Sequence, residues 1–521
     1  MKHKTITQSL SWMHTWSGLI FGWVLFAIFL TGTLAVFDKE IDGWMRPEVP
    51  QHGLSQTEAA QTALEFLQAN HPGAGAWNIG LPTERSPTLS VSAGEQRRGG
   101  GTALDPEAGE PLDVRETAGG GFFFRFHFTL NLPRNIGIWV VGLAAMAMLA
   151  ALVSGIVIHK KFFKEFFTFR PAKGQRSWLD AHNATAVLVL PFHLMITYTG
   201  LVIFYLIYMP AASDALFDGS REALNRAMRG MPVEQQAGAH PGGQGGRGQA
   251  VQSQADPAPL TSLGPVLLEA ERQMGAVSGV SIQNPGRSDA RIEVRPVLGN
   301  RIELTKGQSM FFDGVSGKVL RAPAESRPSL LTQRVMAGMH FAQFGGYPMR
   351  WLYFICGLAS CAMIATGLVL FTVKRRRRHD AEGPLGALLY HVAERLNVSV
   401  VAGLALACVS LLWANRLLPV ELAQRGGWEV RVFFLVWLAS LGHAIARPML
   451  QAWQEQLGAA ALLCLSLPLL NAFIVNRGTY IPLEITVVAI GALLSWCCWK
   501  LGQPPKERST RRTAATPLEV N

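Results

Sequence analysis

The chain has 521 residues, of which 49% are hydrophobic, and its mean hydropathy is +0.20. These values exclude an ordinary soluble protein, and apolar runs of about 20 residues, the length that crosses a bilayer, recur along the chain. The formal net charge of +11 could indicate a nucleic-acid partner. However, the Lys and Arg residues cluster beside the ends of the apolar runs, as the positive-inside rule requires. We therefore expect a lipid bilayer as partner and no nucleic acid.

The positions of the cysteines limit the metal centres and disulfides that the chain could form. None belongs to a CxxC or CxxCH motif, which argues against iron–sulfur ligation and covalent c-type haem. All six lie in or at the ends of apolar runs, so the polar regions must fold without disulfides: Cys356, Cys361, Cys408, Cys464, Cys497 and Cys498.

The first part of the chain predicts a membrane helix followed by a polar module. The basic N-terminus leads into a retained transmembrane helix, placed at 1–37, with His14 at its cytoplasmic edge. Residues 38–134 are polar and are expected outside the cytoplasm. This module contains a helix at 55–70 with a capping Ser and Glu, followed by the strand-like runs AWNIGL, PTLSVS and TALDPEAGEPL.

The chain then returns to the membrane and crosses it. The run FHFTLNLP places His127 near the outer interface, and a second transmembrane helix follows at 135–160. The loop 161–177 is strongly basic and is therefore expected in the cytoplasm. A third membrane span is predicted at 178–208.

This third span carries two histidines, His182 near one end and His193 near the middle. An ionisable group inside a membrane is costly unless it is paired or ligates something. On one continuous helix, a separation of 11 residues brings the side chain back to within about 20° of its first direction, about 16 Å further along. Both imidazoles would then face the same way at two depths, as two stacked haem groups require. The alternative is a pair of polar core histidines hydrogen-bonded to neighbouring helices.

A second polar region, 209–348, repeats the first module after a Gly- and Gln-rich insert at about 235–258. The run MHFAQFGG places His340 where His127 stands in the first half. The helix and strands of this module are predicted from LTSLGPVLLEAERQM, VSGVSIQNP, ARIEVRP and SMFFDGVSGKVL.

The last part of the chain forms a different unit. A fourth span at 349–374 ends in KRRRRHD, so the basic linker 375–397 is expected in the cytoplasm, as is the basic tail 501–521. Between them, residues 398–500 contain four shorter spans, at about 398–418, 429–446, 457–475 and 481–499. The prediction is a mainly α-helical polytopic membrane protein with about eight transmembrane helices and two small α+β modules from an internal duplication.

The histidine spacing supports this duplication. The distance from each histidine to a later Ser-Gly or Thr-Gly pair agrees between the halves, at 17 residues for both His14 and His182, and at 27 and 26 residues for His127 and His340. A parallel two-fold repeat would bring His14 opposite His182. It would likewise bring His127 opposite His340. Because two neutral imidazoles bind haem iron as a low-spin electron-transfer centre, these residues predict two b-type haems at two levels.

The other histidines leave several possibilities. His193 breaks the symmetry, since its counterpart in the first half is Leu25. It could ligate the outer haem in place of His127 or His340, or hydrogen-bond a propionate. His159 is interpreted as a propionate contact or an interfacial residue. His443 is interpreted as a polar core residue, and the histidines of polar loops as solvated: His3, His52, His71, His240 and His379.

These residues resemble those of the PepSY-associated transmembrane family, iron-regulated bacterial inner-membrane proteins that include siderophore reductases. The resemblance covers about residues 1–378. It rests on His14 with Thr31-Gly32 and on FHFTLNLP, LDAHNATAVLVLPFHLMITYTGL and MHFAQFGG. Both polar modules look like PepSY domains, each ending in a D-x-x-x-G turn, at 105–109 and 313–317.

The resemblance implies an enzyme of the inner membrane, a ferric-siderophore reductase, with both modules in the periplasm and both termini in the cytoplasm. It implies that the axial ligands of the two haem b groups are His14, His127, His182 and His340, beside which His193 stays a cofactor-binding candidate. Electrons would come from a cytoplasmic reductase or membrane quinol, since the chain has no nucleotide-binding motif. They would reach an Fe(III) chelate held between the modules. Hard-oxygen ligands bind Fe(II) less tightly, so reduction would release iron.

Two other functions are compatible with the same residues. The protein could be a non-enzymatic membrane sensor or inhibitor whose modules bind a partner and whose histidines are structural. It could also be a proton-coupled transporter with the histidines as a relay, because internal repeats are common in such folds.

Overall fold

The computed structural model describes residues 5–50, 55–94, 101–159, 174–209, 254–299, 301–305, 308–323, 325–377, 379–475 and 480–503, with a few single residues between 211 and 223. Several segments for which the sequence makes predictions lie mostly outside these residues, namely the loop 161–177, the insert at 235–258 and the tail 501–521. The same is true of His3, His52 and His240. The described residues include seven helices long and apolar enough to span a membrane, or eight when one bent pair counts as a span. This confirms the expected polytopic, mainly helical architecture.

The first repeat contains two membrane helices and three short helices. The expected helix at 55–70 is confirmed, and its capping box is present, because the Ser55 hydroxyl accepts from the Glu58 N–H and the Glu58 carboxylate accepts from the Ser55 N–H. The helices are α1 (Ile6–Ala35), α2 (Asp38–Met45), α3 (Gln56–Asn70), α4 (Gly121–Thr129) and α5 (Arg134–Ile158).

The second repeat follows the same order, but its first span is broken. Two helices, bent by 66°, replace the continuous helix expected at 178–208. The break falls at Val189, beside Pro191, whose ring removes a backbone donor and disfavours helix in the preceding turn. The argument that aligned His182 with His193 on one straight helix is therefore wrong. The helices are α6 (Gln175–Leu188), α7 (Leu190–Ile203), α8 (Leu263–Met274), α9 (Pro328–Phe341) and α10 (Gly346–Arg375), with a single turn at Tyr205–Tyr208.

Four further membrane helices form the C-terminal unit: α11 (Gly383–Leu417), α12 (Arg425–Ala446), α13 (Met449–Ile474) and α14 (Ile481–Gly502). The linker expected at 375–397 is mostly helical, because a short 3₁₀ turn at His379–Glu382 leads directly into α11. Tyr390, Ala393 and Asn397 lie three and four residues apart and are buried, so one face of this segment packs as helix.

Strands from both modules form one seven-stranded antiparallel sheet with the order β3-β2-β1-β4-β5-β6-β7. The modules meet at the β1–β4 pair, where Trp77 lies opposite Ile282. Helices α3 and α8 pack against this sheet. The strands are β1 (Ala76–Gly80), β2 (Leu89–Ala93), β3 (Thr102–Leu104), β4 (Val277–Gln283), β5 (Arg291–Pro296), β6 (Met310–Asp313) and β7 (Val319–Arg321).

The joint between the modules corrects one expectation. Strands β1 and β4 are directly hydrogen-bonded, and the Ser281 hydroxyl donates to the Asn78 side-chain oxygen at 2.8 Å in a buried position. A ferric chelate therefore has no cleft between the modules at this joint. The sheet lies at one end of the membrane helices, called here the sheet end, and the opposite end is called the far end.

The two D-x-x-x-G turns have the same geometry. The carboxylates of Asp105 and Asp313 each accept hydrogen bonds from the backbone N–H groups two and three residues ahead. At Asp313, the bonds from the backbone N–H and hydroxyl of Ser316, with one from the Val315 N–H, hold the pKa of the carboxyl below its usual range. Gly109 and Gly317 adopt φ of +71° and +70°, which favours glycine at both positions.

Ile282→Ala tests whether the sheet folds as one body. Ile282 is fully buried opposite Trp77 at the joint, so its truncation should lower the free energy of unfolding by about 2–5 kcal/mol. Val319→Ala on the exposed edge strand β7 is the control, with an expected change within about 0.5 kcal/mol. Thermal unfolding of the purified protein, followed by tryptophan fluorescence, measures both changes, and equal shifts would contradict the shared core.

Candidate functional site

Four histidines meet as two pairs at two levels of the membrane region. Near the far end, the rings of His14 on α1 and His182 on α6 lie 6.3 Å apart between centroids, and these residues are called the far pair. At the sheet end, His127 on α4 and His340 on α9 lie 6.0 Å apart and form the sheet-end pair. The opposition of residues expected from the two-fold repeat is therefore confirmed.

Each ring of the far pair is fixed by a helix of the same repeat. His14 Nδ1 donates to the Ala151 carbonyl on α5 at 2.9 Å, and His182 Nδ1 donates to the Met363 carbonyl on α10 at 2.8 Å. A carbonyl can only accept, so Nδ1 carries the proton and Nε2 of a neutral imidazole keeps its lone pair. Both Nε2 atoms are therefore available as ligands.

The sheet-end pair repeats this arrangement. His127 Nδ1 donates to the Ile28 carbonyl on α1 at 2.8 Å. On α7, the Ile196 carbonyl is a hydrogen-bond partner of His340, and the Thr199 hydroxyl lies 3.1 Å from His340 Nδ1. The tautomer that leaves Nε2 unprotonated is thus favoured at this level also.

A glycine lies against each of the four rings, four residues after the carbonyl that fixes it. A Cβ at these positions would lie close to the nearest ring atom, at 2.5 Å for Gly32, 2.9 Å for Gly200, 3.0 Å for Gly367 and 3.4 Å for Gly155. The Ser-Gly and Thr-Gly pairs therefore hold histidines of other helices. Sequence reasoning used these pairs only as markers of spacing. Their recurrence in four spans was the available signal for this role.

Each pair lines its own cavity. The cavity at the far pair has a volume of about 300 Å³ and that at the sheet-end pair about 670 Å³, within the range of small-molecule sites. The walls are mostly aliphatic and aromatic. Leu25 lines both cavities, so the two sites are neighbours within the helical core.

Cationic side chains lie among the lining residues of both cavities. Arg134 and Arg334 line the sheet-end cavity. Among the described residues, Arg334 Nη2 is buried without a hydrogen-bond partner, although its Nε and Nη1 donate at 2.7 and 2.6 Å. Lys374 and Arg375 line the far cavity together with His159. An apolar ligand with acidic substituents would match both sites.

These observations fit haem b. A metal–imidazole bond of about 2 Å and roughly 1 Å from nitrogen to ring centre, each counted twice, give about 6 Å between opposed rings. The observed separations are 6.3 and 6.0 Å. Among the described residues there is no group of three or more His, Cys, Asp or Glu able to hold a metal ion, so a porphyrin would have to supply the remaining ligands. The cationic side chains suit its propionates.

His193 belongs to neither pair. It is fully buried, its Nε2 lies 2.8 Å from the Ser360 hydroxyl, and its ring packs edge-on against Phe29. It lines neither cavity. The expectation that it could replace His127 or His340, or contact a propionate, is therefore not supported, because the bend after Leu188 turns α7 away from the direction of α6.

Three other histidines differ from the sequence interpretation or extend it. His443, interpreted as a core residue, is half exposed and pairs with Glu455 beside Arg447. His379, expected to be solvated, stacks on Tyr390 at 4.2 Å between centroids. His391, which the sequence analysis did not single out, contacts both rings.

Comparison with known proteins identifies the family of the chain. The family model described as the PepSY-associated TM region matches residues 11–374. The uncharacterized protein PA4219 of Pseudomonas aeruginosa is 25% identical over 405 residues, covering 72% of this chain and 95% of that protein. The four histidines, their glycines and, apart from Arg375, the lining residues of both cavities lie within the matched residues, whereas α11–α14 lie beyond them. The chain belongs to the PepSY-associated transmembrane family.

Proposed function

We propose that this protein is a di-haem b electron-transfer protein that reduces ferric siderophores, or other Fe(III) chelates, at the sheet end. The observation that carries the proposal is the repeated histidine geometry. Two imidazole pairs have the ring separation that bis-histidine ligation requires, and three of the four rings donate from Nδ1 to a backbone carbonyl. Isolated structural histidines have no reason to share this arrangement at two levels.

The chain contributes position, basicity and exclusion of water. Hydrogen bonds at Nδ1 hold the rings in place and increase the basicity of Nε2. Apolar walls keep the region around each pair dry, and the cationic residues at the cavities would pair with propionates. When bound, haem b would supply a one-electron carrier at each level.

The charge distribution supports an orientation. The far end carries the basic run that begins at Lys374, and the basic segments at 160–173 and 506–512 adjoin spans that reach the same end. By the positive-inside rule the far end would face the cytoplasm of a bacterial inner membrane and the sheet the periplasm. An electron would enter from a cytoplasmic reductase or membrane quinol and leave toward the periplasm.

The sheet-end cavity is the proposed point of exit. Leu304, Leu330 and Ala337 line it from the second module, so this module and the membrane helices together bound the cavity. One electron converts Fe(III) to Fe(II), which hard-oxygen chelators bind less tightly, and the iron then dissociates. Because the modules share one sheet, the chelate would approach this cavity rather than a cleft between the modules.

The first test is the absorption spectrum of purified protein expressed with ample haem supply. After dithionite we expect a low-spin b-type band from about two haems per chain. His14→Ala and His182→Ala should each remove the same component, and His127→Ala and His340→Ala the other. His71→Ala, which changes an exposed residue outside both sites, is the control. A colourless wild-type protein would end the proposal and favour a sensor or transporter.

The glycines allow a graded test. Gly32→Ala would place a Cβ 2.5 Å from His127 Nδ1, so the ring must move and haem content at the sheet-end pair should fall severalfold. Gly155→Ala, the matched variant, would place a Cβ 3.4 Å from the His14 ring, which is an ordinary contact, and the far pair should keep its haem. Pyridine haemochrome analysis with redox titration measures both. Equal loss of haem in the two variants would contradict the close packing of Gly32 against His127 and the looser packing of Gly155 against His14.

Activity is tested by electron transfer from pre-reduced protein in anaerobic detergent solution. Addition of a ferric siderophore should reoxidise the protein, and a ferrous-specific chelator should trap Fe(II) in proportion. The gallium(III) complex of the same siderophore is the control, because Ga(III) cannot accept the electron under these conditions. Reduced protein that stays reduced with every Fe(III) chelate, while its haem content is complete, would refute the reductase activity.

A further inference from the structure

The C-terminal unit, α11–α14, brings buried polar residues to the sheet end. Asn415, Arg425 and Glu429 have no exposed surface, and Arg416 and Asn471 are almost fully buried. Buried charges of this kind are costly unless each is paired and hydrogen-bonded. About half of their hydrogen bonds reach the first repeat, at residues 44–45 and 115–118, so the network joins the two parts of the chain.

Glu429 on α12 is at the centre of this network. Its Oε1 accepts from Arg425 Nη1 at 2.6 Å and from Asn415 Nδ2 at 2.8 Å. Its Oε2 accepts from the Thr117 hydroxyl at 2.7 Å and from the Ala118 backbone N–H at 2.8 Å. All four partners are donors, so the site requires a carboxylate.

The segment held by Glu429 leads directly into α4, the helix that carries His127. The Thr117 hydroxyl also accepts from the Gly119 N–H, two residues before α4 begins. The segment before α4 is closely packed on two sides. A Cβ on Gly426 of α12 would lie 2.9 Å from Ala118 N, and a Cβ on Gly120 would lie 1.8 Å from the carbonyl oxygen of Asp38 in α2. The entry to α4 is therefore fixed between α2 and α12.

Aromatic packing continues this contact along α4. Phe122 and Phe126 are buried, and both rings contact Phe433 of α12, with centroids 4.9 and 5.7 Å away. Phe126 also contacts Trp437. The other side of α4 lines the sheet-end cavity with Phe124, His127 and Phe128, and His127 contacts α1 there. Helix α12 thus supports α4 from the side opposite the cavity.

The corresponding helix of the second repeat has different surroundings. In α9, which carries His340, Gly338 is the buried residue, and close contact comes from the second module, where a Cβ on Gly338 would lie 1.7 Å from the Ile302 carbonyl oxygen. The two ligands of the sheet-end pair are therefore held by different parts of the chain. The family match ends at residue 374, before the unit that holds His127.

We propose that the C-terminal unit positions His127 in the sheet-end pair, with Glu429 as the positioning residue that acts through Thr117 and Ala118. This inference rests on the proposed haem site for part of its readout. The four helices α11–α14, which are not part of the two-fold repeat, would then hold one of its histidines in place. The far pair, which has no contact with this network, should be independent of it.

Glu429→Gln is the direct test, because one side-chain oxygen becomes an amide donor that must face an existing donor. We expect the variant to lose or shift the spectral and redox component that His127→Ala removes, and to keep the component that His14→Ala removes. Glu455→Gln is the matched control. It lies in the same unit but accepts from His443 and Arg447 in an exposed site at the far end, so both components should persist.

A milder variant covers the case in which Glu429→Gln does not fold. Thr117→Val removes the hydroxyl that links Glu429 to the Gly119 N–H and leaves the ion pair with Arg425 intact. It should change the midpoint potential or haem occupancy of the sheet-end component alone. Folded variants that leave both components unchanged would overturn the inference, as would equal loss of both.

Hydrogen exchange separates this inference from the haem proposal. Amides in residues 122–129 should exchange at least tenfold faster in Glu429→Gln than in wild type, while those of α9 stay unchanged. This readout needs no haem. If wild-type protein binds no haem, the proposed function fails, and the exchange result alone decides whether α12 holds α4. Unchanged exchange in α4 would overturn the positioning role.

Discussion

The hydrogen bond from a histidine Nδ1 to a helical carbonyl is the constraint on which the site depends. It is made by His14, His127 and His182 with distances of 2.8 to 2.9 Å, and His340 has its own partner at the equivalent turn. Each bond selects the tautomer in which Nε2 keeps its lone pair and holds the ring in one orientation. Without it, an imidazole in an apolar span would have an unsatisfied N–H and no fixed direction.

Glycine makes this bond possible. A carbonyl inside a helix is already the acceptor of its own helical bond, and a side chain can reach it only where the surface of the helix is bare. The glycine four residues after the carbonyl provides that opening for each ring. The Ser-Gly and Thr-Gly pairs are therefore packing sites, one in each of four helices, for the ring of a histidine that belongs to another helix.

The two-fold repeat is extended by one element that is not repeated. Within the core, each half contributes two membrane spans, a module helix and a helix that carries a sheet-end histidine, and the modules join in one continuous sheet through β1 and β4. The C-terminal unit then contacts the first half through a buried network around Glu429, so that α4 and α9 lie in different surroundings. Buried charged groups of this kind specify a single docking geometry because any displacement leaves a charge unpaired.

The sequence by itself determined the class of protein, the approximate number of spans and the repeat. It predicted that a parallel repeat would bring His14 opposite His182 and His127 opposite His340, but left open whether His193 takes the place of an outer histidine. These follow from hydropathy, local propensity and spacing, which act within a segment or are copied between halves. The break in the span after residue 174 follows from Pro191, a local signal that is visible in the sequence. Only the tertiary structure decided that His193 contacts Ser360 and that the modules share a sheet. It also decided which glycine packs against which histidine ring and which residues hold α4. These features depend on contacts between distant segments, such as the one from Thr117 to Glu429 across 312 residues, which no local pattern encodes.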